Sequence, residues 1–195
     1  MELTKRQLDM IDAAIDIIAN RGYKELTTKN IAQQMGISEA ALYRHYPSKH
    51  ELILAVLNYF EDISQRAICQ IDHEIVNPLM KVREFVLNRY RLFVENPDLA
   101  KVLFSEELFK NDPRYTEYMQ RIMHRHKDEV VSNLKQAMVG GDIDHEYDLI
   151  SLFRIVIGSM RFLVAQWNLT EHGFDLVLEG ERLWNTIEKM IKEPK

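Results

Sequence analysis

The residues best suited to chemistry lie close together between Thr27 and Lys49. Tyr43 and His45 carry hydrogen-bond donors, and Arg44 and Lys49 carry positive charge. Hydroxyl, imidazole, guanidinium and ammonium groups all bind phosphate oxygens, and arginine also pairs with the edge of guanine. The stretch therefore indicates contact with a nucleic acid, provided that the fold exposes these side chains together.

Residue types for catalysis or metal binding do not occur at useful spacings. Cys69 is the only cysteine, so the chain can form neither an internal disulfide nor a metal site of several thiolates. His124 and His126 are two positions apart, and such residues do not share a helical face. The sequence has no nucleophile-plus-base spacing, phosphate loop or metal motif. We therefore expect no enzyme activity, no metal and no cofactor.

The charge distribution limits where a nucleic acid can bind. The chain has 195 residues and a net charge of -5, and an acidic protein does not attract nucleic acids over its whole surface. Residues 1–50 hold seven Lys or Arg against six Asp or Glu, which makes them the less acidic part. Any DNA contact is therefore expected from a local group of side chains.

The apolar residues predict a folded protein without membrane spans. They make up 46% of the chain, which is enough to form a buried core. The N-terminus has no apolar run typical of a signal peptide. The most apolar late stretch, Ile155 to Trp167, contains Arg161 and is too short to cross a bilayer. We expect a cytoplasmic protein with no membrane partner.

Helical periodicity dominates the chain. Apolar residues recur at spacings of three and four, and no useful stretch alternates as a strand would. Asn77, Asn96 and Asp112 each precede a proline, which predicts a helix start after each of them. The expected fold is all-α, with about nine helices near residues 4–21, 28–35, 38–46, 48–70, 78–95, 97–110, 113–139, 144–169 and 174–191.

The second and third helices are expected to form a helix-turn-helix. Thr27 and Ser38 are placed to cap them, and Gly36 provides the tight turn between them. The third helix has few apolar residues on its outer side, so its start can enter the major groove. Lys49 opens the long fourth helix, whose free N–H groups also attract phosphate.

This region resembles the DNA-binding domain of the TetR family of bacterial regulators over about residues 8–60. The positions that carry the resemblance are Leu26-Thr27-Thr28, Ile31-Ala32, Gly36-Ile37-Ser38, Leu42-Tyr43, His45-Tyr46 and Ser48-Lys49. The resemblance implies a homodimer on a palindromic operator of double-stranded DNA. It also implies a DNA-binding domain at 1–50, linked through the long helix 48–70, and a ligand-binding and dimerisation domain at 51–195.

The resemblance implies DNA contacts at ten positions, namely Thr27, Thr28, Lys29, Ser38, Glu39, Ala40, Tyr43, Arg44, His45 and Lys49. Arg44 can address either guanine or phosphate, and His45 can instead stabilise a helix C-terminus. Glu39 is costly near DNA unless it accepts from a cytosine amine or pairs with a neighbour such as Lys29 or Arg44. With so few cations, the salt dependence per subunit is expected to be shallow.

The C-terminal domain has two expected surfaces. A hydrophobic small-molecule effector would be lined by aromatic and methionine side chains, which equally suit a filled core: Phe85, Tyr90, Phe93, Phe104, Tyr115, Met119, Met123 and Phe153. The resemblance also implies that the last two helices form the dimer interface, here through Ile157, Met160, Arg161, Val164, Trp167, Leu176, Leu183, Trp184 and Ile187. Gly158 and Gly180 inside these helices suggest close helix packing.

Two DNA-binding functions remain open. One is a transcriptional repressor that a hydrophobic ligand releases from its operator. The alternative is a ligand-independent protein that acts through a protein partner, because the run from Ser38 to His45 is similar to that of a nucleoid-occlusion regulator of cell division in the family. A closed, well-packed domain centre would favour the alternative, and an open cavity would favour the repressor.

Overall fold

The fold is all-α, as the sequence predicts. The computed structural model describes residues 3–110 and 112–192, apart from the side chain of Glu106. Within these ranges there is no strand, and one short 3-10 helix, Tyr23–Glu25, follows the first α-helix. The α-helices are α1 Lys5–Arg21, α2 Thr28–Met35, α3 Glu39–Tyr43, α4 Lys49–Glu74, α5 Pro78–Glu95, α6 Pro97–Leu103, α7 Glu106–Lys110, α8 Pro113–Val139, α9 Leu149–Leu169 and α10 Leu176–Ile191.

The structure corrects the predicted helix boundaries at 97–110 and at 144. The segment 97–110 is divided into α6 and α7, and the Ser105 hydroxyl accepts the Leu108 N–H at the break. The helix predicted from 144 begins at Leu149, because the Asp148 carboxylate accepts the Ser151 N–H at 2.7 Å and caps that turn.

One predicted cap serves a different helix. Asn77 does cap α5, since its side chain accepts the Met80 N–H at 2.9 Å. Asn96, by contrast, donates its side-chain amide to the Leu92 carbonyl, 3.1 Å away, and so ends α5 rather than opening α6. A capping residue between two helices can serve either one, and the sequence does not say which.

The chain divides into two compact units that interleave along the sequence. Unit 1 contains residues 1–63 and 98–121, and unit 2 contains residues 64–97 and 122–195. The return of 98–121 to unit 1 differs from the predicted boundary at residue 50. The Asn20 side chain, for example, donates to the Asp98 carboxylate at 3.1 Å. Helices α4 and α8 each run without interruption from one unit into the other.

The core of unit 1 is built on the apolar face of α1. Met10, Ile11, Ala14 and Ile17 have no exposed surface, which is the face that a spacing of three and four residues creates. They share the interior of the unit with fully buried side chains from the following segments, namely Leu26, Ile31, Ile53, Val56 and Leu57. This core fixes the position of α2 and of the first turns of α4.

The core of unit 2 depends on a close approach between α5 and α10. Gly180 on α10 faces the ring of Tyr90, and a Cβ atom added at Gly180 would overlap that ring. Tyr90 is 1% exposed and cannot move outward without opening the core. A Cβ added at Gly158 on α9 would meet no atom within 4 Å. Close packing within the chain therefore explains the glycine at position 180 but not the one at position 158.

Helix α9 has two apolar faces. Its inner face packs within unit 2 through Leu152, Val156, Met160, Val164 and Trp167. Its outer stripe, at spacings of three and four, consists of Ile155, Gly158, Phe162, Ala165 and Leu169. Three of these are large and exposed, at 51% for Ile155, 70% for Phe162 and 85% for Leu169. We call these five residues the α9 stripe.

The expected dimer residues need correction in the light of these faces. Six of the nine are already buried within the chain, namely Met160, Val164, Trp167, Leu176, Trp184 and Ile187. Ile157 and Leu183 are half-buried, and Arg161 is exposed. The periodic pattern therefore selected mostly the inner faces of these two helices. The apolar surface that α9 leaves open is instead the α9 stripe.

The expectation that the late apolar stretch is too short for a bilayer also needs correction. As a 21-residue helix, α9 is long and apolar enough to cross a membrane by length and composition alone. Its inner face is nevertheless packed in the core of unit 2.

The two helical glycines make a matched pair of stability tests. We expect Gly180→Ala to lower the free energy of unfolding by about 2 kcal/mol, because the added methyl group overpacks against Tyr90. Gly158→Ala should leave it unchanged or raise it by up to about 1 kcal/mol, since alanine favours the helix. Urea denaturation at a protein concentration low enough to keep each variant monomeric measures both, so that contacts between two copies do not contribute. Equal effects of the two substitutions would contradict the proposed packing.

Candidate nucleic-acid interface

Local hydrogen bonds determine where α2 starts and stops. The Thr27 hydroxyl accepts the Asn30 N–H at 3.1 Å and caps the first turn, as predicted. At the other end Gly36 adopts the left-handed conformation, with φ 62° and ψ 36°. The N–H of Ile37 then returns to the Ala32 carbonyl at 2.9 Å. This turn sends the chain away from α2 and into α3.

Helix α3 is shorter than predicted. Ser38 caps it by accepting the Ala41 N–H at 3.2 Å, but the helix ends at Tyr43 instead of continuing to Tyr46. Leu42 is 2% exposed and Tyr46 is 7% exposed, so these two side chains attach the segment to unit 1. Because α3 ends early, Arg44 and His45 lie in the turn that follows it.

The ten expected DNA-contact residues share one property, which is access to solvent. Eight are exposed: Thr27, Lys29, Ser38, Glu39, Ala40, Tyr43, Arg44 and His45. Thr28 and Lys49 are half-buried. The side chains between them that point inward are apolar, so α3 presents its small and polar residues outward. An outer face of this kind is able to enter the major groove.

Glu39 has a partner that the sequence did not indicate. Its carboxylate accepts a 2.6 Å hydrogen bond from the Thr28 hydroxyl, and the Tyr43 hydroxyl donates to the same Thr28 oxygen at 3.4 Å. The expected partners were Lys29 or Arg44. The bond joins the first turn of α2 to the first turn of α3 and fixes the carboxylate on the exposed face. The bond satisfies one carboxylate oxygen of Glu39 but leaves its negative charge in place.

Lys49 is held more firmly than a surface lysine. Its Nζ donates to the Tyr23 carbonyl at 3.1 Å and lies 3.7 Å from the centroid of the Tyr23 ring. Burial lowers the pKa of Lys49. An ammonium group has three N–H bonds, so two remain for a phosphate after the bond to Tyr23. Sequence reasoning missed Tyr23, because no local spacing relates it to Lys49.

The first turn of α4 has a side-chain cap. The Ser48 hydroxyl accepts the Glu51 N–H at 3.2 Å. This bond fixes the start of the helix directly beside Lys49. The remaining free N–H groups of the turn form the positive end of the helix dipole, which favours an anion.

The expected effector-binding residues are divided between the two units. Phe104, Tyr115 and Met119 belong to unit 1, whereas Phe85, Tyr90, Phe93, Met123 and Phe153 belong to unit 2. Phe85, Tyr90, Phe93 and Tyr115 are buried, but Met123 is 45% exposed and therefore lies at the surface. Tyr90 packs under Gly180 and Tyr115 stacks on His50, so both serve the core.

No potential metal site accompanies these groups. Among residues 3–110 and 112–192, no three His, Cys, Asp or Glu side chains lie close enough to hold an ion. The stretch from Thr27 to Lys49 is thus a face of hydroxyls, cations and small side chains.

The N-terminal part of the chain matches a known protein family. Residues 10–56 match the family described as bacterial regulatory proteins, tetR family. The nucleoid occlusion factor SlmA of Vibrio cholerae is 30% identical over 135 residues, which cover 68% of this chain and 66% of that protein. The chain therefore spans about two thirds of that relative. SlmA of Vibrio campbellii is 26% identical over 191 residues, covering 97% of each chain.

Solved structures share the fold over nearly the whole chain. The ketosteroid transcriptional regulator KstR2 of Mycobacterium tuberculosis superposes with a TM-score of 0.84 at 19% identity and covers 99% of this chain and 98% of its own. FadR of Bacillus subtilis, solved in complex with stearoyl-CoA, has a TM-score of 0.79 at 18% identity, with coverages of 94% and 98%. At such identities the likeness concerns the fold alone.

The charge of Glu39 gives a direct test of which face meets DNA. We expect Glu39→Gln to tighten binding to random-sequence DNA by roughly fivefold per subunit, because it removes a negative charge close to the phosphates. Fluorescence anisotropy at low salt measures this affinity. Glu117→Gln, an exposed position on α8, makes the same change in net charge and should have no effect. Equal responses of both variants would place the DNA elsewhere.

Proposed function

Because the chain belongs to the TetR family of bacterial regulatory proteins, and is a DNA-binding regulator and not an enzyme, we propose that it acts as a homodimer on a palindromic operator through a protein partner. From the sequence, a ligand-released repressor is the leading expectation and action through a partner is the alternative. The relatives named nucleoid occlusion factor favour the second. A role in cell division near the nucleoid follows as the specific form of this proposal.

The packing within unit 2 is the observation that favours a protein partner over a hydrophobic ligand. The cavity bordered by Ile68, Val82, Phe85 and Asn133 has a volume of about 10 Å³. That is space for about one water molecule and not for a hydrophobic effector. The small size of this cavity favours the partner-acting alternative.

Polar groups in the same interior also disfavour an apolar ligand. Arg89 is 2% exposed, and its guanidinium carbon lies 4.9 Å from the centroid of the Phe85 ring. Burial lowers the pKa of Arg89 to about 10, so the group stays charged at neutral pH. Nearby, Ser64 and His126 share a 2.6 Å hydrogen bond. An apolar ligand that displaced these contacts would leave buried polar groups without compensation, which costs free energy.

The DNA contacts are proposed at the residues that the site exposes. Tyr43 and Lys49 reach phosphate oxygens through a phenol and an ammonium, and Thr27, Thr28, Ser38 and His45 contribute hydroxyl and imidazole groups. Arg44, Lys29 and Ala40 line the groove beside Glu39. This assignment is supported by their exposure on one face and by the cap geometry of α2, α3 and α4.

The α9 stripe supports the proposed homodimer. Its large residues form a line at spacings of three and four, which suits packing against another helix, and Gly158 in its middle allows close approach. In a two-fold dimer the stripe would meet its own copy, so each exposed residue is used twice. Two copies of α3 then face DNA with the same symmetry, which requires a palindromic operator.

Operator selection from random DNA tests the function as a whole. We expect a palindrome whose half-sites lie about one helical turn, or a multiple of it, apart. Tyr43→Phe and Lys49→Ala should each weaken operator binding by about tenfold, because each removes a hydrogen bond to a charged phosphate. Stearoyl-CoA should leave operator affinity unchanged. Release of the operator by stearoyl-CoA would instead support the ligand-responsive repressor.

The dimer face has its own test. Phe162→Asp should raise the dimer dissociation constant by more than about 100-fold, because it buries a carboxylate twice in a two-fold interface. Sedimentation equilibrium measures the change. The matched control is Val139→Asp, since Val139 is 83% exposed but lies at the end of α8. A Phe162→Asp protein that remained dimeric would rule out the α9 stripe as the interface.

A further inference from the structure

Tyr23 is the feature that the function proposed so far leaves unexplained. It opens the 3-10 helix after α1 and lies 26 positions before Lys49. Its backbone carbonyl accepts a hydrogen bond from Lys49, and its ring lies under the same ammonium at 3.7 Å. Two independent groups of one residue thus hold the amine of one lysine. Such double contact restricts a side chain that otherwise has four rotatable bonds.

The Tyr23 phenol interacts with Tyr115 in the first turn of α8. Burial raises the pKa of Tyr115, and the charge interaction and hydrogen bond with Tyr23 raise it further. Tyr115 is 2% exposed and stacks on His50, with the ring centroids 4.9 Å apart. Tyr23 is therefore packed against a buried residue and is not a mobile surface ring.

The first turn of α8 is held in place by the interactions of Asp112. The Asp112 carboxylate lies 3.3 Å from His50 Nδ1 and accepts from the Arg114 guanidinium at 2.8 Å and 3.1 Å. His50 is the residue next to Lys49 in the first turn of α4. All of these residues belong to unit 1. The start of α4 is thus held by the start of α8 on one side and by Tyr23 on the other.

We propose that Tyr23 is the positioning residue of the phosphate contact, because its ring and its carbonyl hold the Lys49 ammonium so that two N–H bonds point to the DNA backbone. The inference rests on the proposed role of Lys49 and adds Tyr23 to it. Preorganisation removes part of the rotamer entropy that a free lysine loses on binding phosphate. Tyr23 itself touches no DNA, and its effect acts through Lys49.

The salt dependence of operator binding separates this role from a merely structural one. Each phosphate contact contributes about 0.9 to the slope of log affinity against log salt concentration. Tyr23→Leu removes the ring, so we expect roughly tenfold weaker binding of the dimer and a slope lower by about 2. Tyr23→Phe keeps both the ring and the carbonyl and should retain the slope of the unmodified protein.

Lys49→Ala serves as the reference variant. It should lower the slope by the same amount as Tyr23→Leu, and the double variant should show no further loss. If Lys49→Ala leaves the slope unchanged, the phosphate role of Lys49 is wrong, whatever Tyr23 does. If Lys49→Ala lowers the slope and Tyr23→Leu does not, DNA binding through Lys49 stands and the positioning role is overturned.

A measurement on the unmodified protein avoids any dependence on how Tyr23→Leu folds. Protons of the Lys49 side chain next to the amine lie over the Tyr23 ring and should resonate upfield of ordinary lysine positions in the NMR spectrum of the free protein. The upfield shift should persist in Tyr23→Phe. Ordinary chemical shifts in the unmodified protein would overturn the proposal directly, because the ammonium would then not be held in solution.

Discussion

A helix of five residues has no stability of its own in water, and the exposed face of α3 exists only because its surroundings impose the helical shape. The Ser38 cap orders one end, and the left-handed turn at Gly36 sets the direction of entry. Leu42 and Tyr46 then attach the segment to the core of unit 1. Because the apolar side chains of this segment point inward, its outward positions carry hydroxyl groups, charged groups and one small methyl group.

Two charged side chains of this face are also held in place before DNA is present. Glu39 is joined to Thr28 across the two short helices, and Lys49 at the start of α4 is joined to Tyr23 in the 3-10 helix after α1. A chain with a net charge of -5 has little general attraction for DNA. Fixed geometry at a few positions compensates for this, since less conformational entropy is lost on binding.

Local signals in the sequence were sufficient for most of the helices but not for the contacts between them. The caps at Thr27, Ser38 and Asn77 were predictable, because each involves residues only three positions apart. The Lys49–Tyr23 contact spans 26 positions, and no pattern relates the two residues. Most of the expected dimer residues are buried within the chain for another reason. Helix α9 is apolar on both faces, so periodicity could not tell its inner side from its outer one.

The interleaved order of the two units has a consequence for modularity. Residues 98–121 return to unit 1, where Asp98 meets Asn20 and Asp112 meets His50. Cleavage of the chain near residue 50 would therefore not release a self-contained DNA-binding unit. The first turn of α8, which contacts His50 through Asp112, would remain in the other fragment. Recombination between relatives, natural or engineered, conserves these contacts only when it exchanges both segments together. The DNA-binding segment and the first turn of α8 should thus be inherited together.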